Sequence, residues 1–569
     1  MTPHSIARFA ALLAFVLLAR PALADDAPAV VVGEPGTSLV TPRVAVAADH
    51  AIASRVGGEV LRRGGNAVDA AVAVGLSLGV VNPFASGLGG GGFLLVRTAE
   101  GEVEALDFRE AAPGAAHRDM YVVDGEVDRA LSLAGGLAVG VPGEAAGWWA
   151  VHERYGRLPW ADVVAPALSL ASDGFEAGTL LESRLDSNTR LEGSPALASH
   201  FSSDAGYVRA GERIVRAGLG EALRAYAEQG PSVFYEGWVA EDIVAAVEAA
   251  GGVMTMADLA GYTPRWLEPV ESTYRGATVY GMPTPSSGGL VVALVLDALA
   301  AFELDRLHYD DAAFAHLVMH TLAHAFADRA HYLGDHAFAD VPFDRFRGEA
   351  RRREVVESYD PVRVLEASDY GALAMQEEEA GTSHFSIVDD EGMAVACTVT
   401  INTSFGSMVL TERSEIVLNN EMDDFASQPG VPNVFGLVGS EANAIAPGKR
   451  PLSSMSPTIV VDDEGVLGVL GGSGGPRIIT GTLLALIQLI DFDSDAMAAV
   501  SAPRFHHQWL PFRAFVEETG SRSWRERLVN FGYEVEVQPF GSAVQVVWRH
   551  GEGWQAASDP RKHGVPAGW

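Results

Sequence analysis

The sequence predicts an α+β protein, and three observations carry that expectation. Apolar residues recur at helical spacing over residues 51–63 and again over 67–79, with Gly64-Gly65-Asn66 as the break between two helices. From 143 to about 380 the periodicity is again mostly helical, interrupted at glycine- and proline-rich points such as 282–289. From Ser383 onward the pattern changes to short alternating runs joined by glycine turns, which is how strands read. That shift near residue 381 is the strongest internal boundary. Upstream, SGLGGGGFLLVR (86–97) is a glycine turn feeding a strand, and a further strand runs through 103–108. Residues 25–42 read as a polar lead-in.

The first residues are expected to lie outside the fold. An 11-residue apolar run, 9–19, follows a short segment carrying Arg8, and Ala22-Leu23-Ala24 then precedes Asp25-Asp26. This is the pattern of a secretory signal peptide (1–24) cleaved after Ala24. The run is too short for a bilayer span, which needs roughly 20 apolar residues. The expected location is the periplasm or the extracellular medium, with no membrane anchor after cleavage. Of 569 residues, 48% are hydrophobic, enough for a sizeable core, and the formal charge is −34. A field of that sign repels nucleic acid and anionic membranes. The single cysteine, Cys397, excludes an intramolecular disulfide and thiolate zinc sites. The only lysines are Lys449 and Lys562.

At the internal boundary, EEEAG (377–381) is an acidic run ending in glycine. TSHFSIV (382–388), the turn DDEG (389–392) and residues 393–402 then form a hairpin pattern. Period-two alternation puts Thr382, His384 and Ser386 on one face, and Thr398, Thr400 and Asn402 on one face of the second strand. Val395, Cys397, Val399 and Ile401 occupy the opposite, apolar face, so Cys397 reads as core packing. A threonine hydroxyl needs a base beside it to act as a nucleophile. If the chain breaks before Thr382, the freed α-amino group supplies one, with a pKa of about 7.7–8. The β-branch limits χ1 and helps hold the hydroxyl in one orientation.

Other segments gather groups suited to the same chemistry. IVLNNEMDDF (416–425) places Glu421 and Asp424 together, KRPLSSMSPTIVV (449–461) puts Ser453 and Ser454 in a turn, and DFREAAP (107–113) sets Arg109 at a strand end. In VLGVLGGSGGPRIIT (466–480), consecutive N–H groups at Gly474 and Gly475 are suited to stabilising an oxyanion.

Together with GGNAVDAAVA (64–73), PTPSSGG (283–289), FADRAHYLGD (326–335) and APRFHHQWLP (502–511), these motifs resemble the γ-glutamyltransferase family, in particular its bacterial members, over essentially the whole mature chain. The resemblance implies a four-layer αββα sandwich of the N-terminal-nucleophile hydrolase type. It implies a precursor that cleaves itself between Gly381 and Thr382, giving a large subunit (25–381) and a small one (382–569) in an intertwined heterodimer. By position, Thr382 is then the nucleophile, Thr400 its supporting hydroxyl, and Gly474 with Gly475 the oxyanion site. Arg109, Ser453 and Ser454 would hold the α-carboxylate of a γ-glutamyl donor, and Asn402, Glu421 and Asp424 its α-ammonium. The implied reaction is two-step acyl transfer from glutathione or a related γ-glutamyl compound to water or an amino acid or peptide amine, without metal or organic cofactor. Residues 429–449 resemble the lid loop of bacterial members, with Phe435 where tyrosine is common. Ser383 replaces a common threonine, and Glu421 stands where some members have glutamine.

Three features invite other readings. Gly87-x-Gly89-x-x-Gly92 matches a dinucleotide fingerprint but precedes a strand instead of opening a helix. His506-His507 suggests a metal, without a third ligand at suitable spacing. Gly471-Gly472-Ser473-Gly474-Gly475 matches G-x-S-x-G, with Asp493 or Asp495 and then His506 in α/β-hydrolase order, so a serine hydrolase using Ser473 is the rival enzyme. An unprocessed binding protein of the same fold is the non-enzymatic alternative.

Overall fold

The computed structural model describes residues 28–371, 381–426 and 440–569. The expected leader, the acidic residues just before Gly381, and Phe435 with most of the lid-like loop lie outside the described residues.

Among the described residues, an eight-stranded antiparallel sheet runs in the order Val31–Val32, Ala567–Gly568, Ala45–Ala48, Thr382–Val388, Ala394–Thr400, Gly91–Arg97, Val103–Asp107, Arg265–Leu267. A seven-stranded antiparallel sheet runs Val270–Tyr274, Ala277–Gly281, Thr458–Asp462, Gly465–Ser473, Ala543–His550, Gly553–Ser558, Ser38–Thr41. Strands from both sides of residue 381 interleave in each sheet. The central pair of the first sheet, Thr382–Val388 against Ala394–Thr400, is flanked on both sides by strands that precede the boundary.

The inner faces of the sheets meet in a core of small and branched residues that includes Ala45, Ala47, Leu95, Ala394 and Ala396 against Ile459, Val469 and Val547. The outer face of the first sheet, with Val395, Cys397, Val399 and Ile401, packs on helices Ala51–Arg62 and Ala67–Val81. The second sheet is covered by Gly288–Leu299, Ala312–Tyr332 and Arg477–Ile490. Helix, sheet, sheet, helix is the αββα order the resemblance implied, because each sheet buries apolar side chains on both faces.

The local signals explain the central elements. Asn66 caps Ala67–Val81 through a reciprocal capping box with Asp69. The hairpin pairs Thr382 with Thr400 and His384 with Thr398. Its turn is held by Asp389, whose Oδ1 accepts from the N–H groups of Glu391 and Met393, each at 3.0 Å. The other oxygen accepts from Ala67 N–H at 2.9 Å, tying the turn to the start of that helix. Two expectations need correction. Residues 25–42 are not merely a lead-in: Val31–Val32 and Ser38–Thr41 form edge strands, one in each sheet. The largely helical reading of 143–380 passed over three strands between Arg265 and Gly281, two of them joined by the tight turn Arg275-Gly276, both residues at positive φ (50° and 89°).

Candidate active site

Thr382 opens the central strand at the mouth of a cleft between the two sheets, and the preceding peptide is gripped from several directions. Gly381 N–H donates to Asn402 O at 2.8 Å. Thr400 Oγ1 donates to Gly381 O at 2.7 Å, accepts from Asn402 N–H at 2.8 Å, and lies 3.3 Å from Thr382 Oγ1. The two hydroxyls and the carbonyl that precedes Thr382 thus form one small cluster. Glycine at 381 is a steric requirement, since a Cβ there would lie 2.9 Å from Phe84 O and from both C and O of Thr403. Asn402 reaches the site differently from the expected alternation. The second strand ends at Thr400, and Asn402 sits in the left-handed region at φ 72°, with Nδ2 donating to Asn420 O at 2.9 Å.

His384 is the nearest imidazole along the strand, but it is occupied. Nδ1 pairs with Thr398 Oγ1 at 2.8 Å, Nε2 with Ser386 Oγ at 3.2 Å, and the ring lies against Gly471 of the facing sheet. Burial, reinforced by the charge of Lys562, lowers its pKa to about 3. It is a neutral packing group between the sheets.

At the other end of the cleft stand Arg109, Glu421, Asp424, Ser453 and Ser454. Arg109 follows the strand Val103–Asp107 and is almost fully buried. Its Nη1 donates to Glu421 and its Nη2 to Asp424, while Nε donates to Pro451 O at 3.3 Å. Groups expected to receive the two opposite charges on one substrate carbon are therefore ion-paired with one another. Glu110 lies behind them, fully buried, with Oε2 3.9 Å from Arg109 Nη1. Burial pushes the carboxyls of Glu110 (to about 7), Asp424 (to about 6) and Glu421 upward, and the Arg109 guanidinium pulls each back down. Three carboxyls share one close guanidinium, so they titrate as a coupled group.

Ser454 Oγ accepts from Arg329 Nη2 at 3.3 Å, and Arg329 Nε donates to Ser287 Oγ at 2.9 Å. Arg329 also lines the cleft. It was missed in the sequence as a site residue, although it lies inside the FADRAHYLGD segment. No local pattern separates it from a helix-surface arginine. Gly475 lines the cleft; both it and Gly474 have positive φ (59° and 122°), and a Cβ on Gly474 would lie 2.3 Å from Gly541 O. The structure thus gathers Arg109, Thr382, Thr400, Asn402, Glu421, Asp424, Ser453, Ser454 and Gly475 around one cleft, with Gly474 adjoining it.

The rival motifs assemble no site. Ser473 Oγ is buried without a hydrogen-bond partner. His506 is spoken for, with Nδ1 on Thr480 Oγ1 at 2.8 Å and Nε2 on Gln508 Oε1 at 2.9 Å. Gly89 and Gly90 are where backbones touch: a Cβ would lie 2.2 Å from Val417 O and 2.1 Å from Thr400 O respectively. Among the described residues no cluster of three or more His, Cys, Asp or Glu is arranged to hold a metal. No helix of the described residues is long and apolar enough to cross a membrane.

The chain is similar to known proteins over most of its length. The family model described as gamma-glutamyltranspeptidase matches residues 53–569. The glutathione hydrolase proenzyme of Escherichia coli is 41% identical over 526 residues, covering 91% of this chain and 90% of that protein. That of Pseudomonas aeruginosa is 40% identical over 531 residues, covering 92% and 94%. In three dimensions, a cephalosporin acylase from Bacillus halodurans superposes with a TM-score of 0.82 at 25% identity, covering 94% of this chain and 97% of its own. A Helicobacter pylori gamma-glutamyltranspeptidase chain gives 0.55 at 35% identity, covering 56% of this chain and 92% of its own. With a family model across most of its length and relatives at 40–41% identity over nine-tenths of it, this chain belongs to the gamma-glutamyltranspeptidase family.

Proposed function

We propose that this protein is an exported, self-cleaving threonine hydrolase and transferase of γ-glutamyl amides, glutathione among them. The observation that carries the reading is the junction. Thr382 Oγ1 stands beside Thr400 Oγ1, which donates at 2.7 Å to the carbonyl of Gly381. In maturation, Thr382 Oγ attacks that carbonyl, and Thr400 stabilises the charge that develops on its oxygen. The peptide becomes an ester, water releases Gly381, and Thr382 is left with a free amine. The result is a large subunit, 25–381, and a small one, 382–569, whose strands stay interleaved. The proenzyme names of the relatives support this order of events.

In turnover, the Thr382 amine takes the proton of Oγ as it attacks the γ-carbonyl of a donor. The oxyanion is held by N–H groups at Gly474 and Gly475, and the protonated amine delivers its proton to the leaving nitrogen. Water, or an amino acid or peptide amine, then takes the glutamyl group. The donor's α-carboxylate is received by Arg109, Ser453 and Ser454, and its α-ammonium by Asn402, Glu421 and Asp424. A γ-glutamyl end carries one charge of each sign, so it replaces the internal Arg109–acid pairing by two external pairings of equal charge balance. A glutaryl group carries only the anion and leaves Glu421 and Asp424 unmatched. The leader at 1–24 sends the protein to the periplasm or beyond.

Denaturing electrophoresis with N-terminal sequencing, together with hydrolysis of γ-glutamyl-p-nitroanilide and its glutaryl analogue, tests the proposal. The expected result is two bands, the smaller beginning at Thr382, and turnover of the γ-glutamyl anilide lost in Thr382→Ala. A single uncut band whose activity survives Thr382→Ala but not Ser473→Ala would overturn it.

A further inference from the structure

Lys562 is one of only two lysines in the chain, and its ammonium sits on the nucleophile residue itself. Nζ donates to Thr382 O at 2.6 Å and pairs with Asp49 Oδ2 at 2.8 Å, with the lysine side chain 13% exposed. Asp49 is itself fixed. Its other oxygen accepts from Gln545 Nε2 at 2.6 Å, and Oδ2 also accepts from His384 N–H at 3.3 Å. Three distant parts of the chain, near residues 49, 545 and 562, thus hold one cation against the carbonyl of the residue that is to carry the free amine.

We propose that Lys562 is a positioning residue for the catalytic amine of Thr382, its fixed positive charge keeping that amine in the neutral, proton-accepting form at physiological pH. The inference rests on the proposed function, since it needs Thr382 to be an N-terminal residue. The carbonyl oxygen and the amine belong to one residue, so the ammonium lies on the order of 5 Å from the amine nitrogen. A like charge at that range disfavours the protonated amine. Asp49 offsets part of this effect, but it shares its charge with two further donors, Gln545 Nε2 and the His384 N–H.

The other groups around Thr382 do not replace Lys562. His384 is buried and neutral. Across the cleft, Arg109 and Arg329 face the carboxyls of Glu421 and Asp424, which offset their charge. The role has a chemical consequence in acylation. In acylation the Oγ–H bond breaks, its proton goes to the neutral amine, and the Oγ–carbon bond forms. That proton then goes to the departing nitrogen as the carbon–nitrogen bond breaks. An amine already protonated at rest cannot begin the sequence.

The test is the pH dependence of kcat/KM for γ-glutamyl-p-nitroanilide in fully processed Lys562→Met, Lys562→Arg and Asp49→Asn heterodimers, with rates normalised to free N-terminal Thr382. A typical N-terminal amine is about one-seventh neutral at pH 7, and a downward shift of about 0.5–1 unit raises that fraction two- to fourfold. Lys562→Met is therefore expected to move the acidic limb up by about 0.5–1 pH unit, losing two- to fourfold at pH 7 and recovering above pH 9 with KM unchanged. Lys562→Arg should restore the wild-type limb, and Asp49→Asn should move it the other way. A loss in Lys562→Met that is equal at every pH, or a limb that stays in place in both Lys562→Met and Asp49→Asn, would overturn the proposal. Activity surviving Thr382→Ala would instead remove the reading on which it stands.

Discussion

Replacing Arg109 by lysine separates charge from geometry at the donor end of the cleft. Arg109 is 1% exposed, and its two terminal nitrogens already serve Glu421 and Asp424. A substrate carboxylate can be added because a guanidinium offers five donors in a plane; an ammonium on a shorter reach offers a single point charge. Lysine keeps the local charge balance but cannot span both acids and the incoming carboxylate. The expected loss is one charge-assisted hydrogen bond, about 1.5–3 kcal/mol, or about 10–150-fold in kcat/KM. It should fall mainly on KM, because the α-carboxylate is held alike in the ground and transition states. Initial rates on γ-glutamyl-p-nitroanilide, with the heterodimer checked by N-terminal sequencing, measure it. Alanine is the poorer probe: it strips the close cation from Glu421, Asp424 and Glu110, at about 3–5 kcal/mol for a broken buried pair, and so confounds binding with folding. A KM for Arg109→Lys within about twofold of the parent would refute the clamp assignment.

Thr400→Val removes the donor to Gly381 O while keeping the shape, and should slow the appearance of the two subunits by about 10²–10³. Thr400→Ser should mature normally, and equal rates for valine and serine on a time-resolved gel would refute that role. Gly381→Ala forces a Cβ against Phe84 O and Thr403, so the junction must shift and cleavage should slow by at least about tenfold; unchanged processing would mean the grip is looser than it looks. Stability should peak near neutrality. Burial lowers His320 to about 4 and His384, His506 and His507 to about 3, so below pH 6.5 the unfolded chain binds protons that the fold refuses, and stability falls as the pH drops. Burial raises Glu144 to about 8 despite the N–H of Trp148 and Gly87, so from about 4.5 to 8 the fold keeps a proton the unfolded chain has lost. That term falls with rising pH, on the order of 1 kcal/mol per unit. Urea midpoints across pH 4–9 should trace the dome, with Glu144→Gln flattening the alkaline side; an alkaline limb untouched by that change would rule Glu144 out as its source.

Much of the architecture is legible in the sequence itself. The Gly64-Gly65-Asn66 break and the acidic turn after Val388 are local signals, set by capping and by φ restrictions within a few residues. The alternation of Thr382, His384, Thr398 and Thr400 also held, because side-chain period in a strand is a property of the backbone. The residues proposed to hold the donor were named only by matching motifs, since an arginine in DFREAAP and acids in NNEMDDF carry no sign that they meet. What the tertiary structure decided was which distant groups share a space. Arg109 is neutralised by the acids it was expected to work beside, and Asn402 arrives by a left-handed turn. Arg329 stands behind Ser454, and Lys562 and Asp49 close on Thr382 from opposite ends of the chain. The physical reason is that helix and strand periods are short-range, whereas charge pairing across a cleft depends on sheet order and on which strands interleave, and no window of neighbouring residues encodes that.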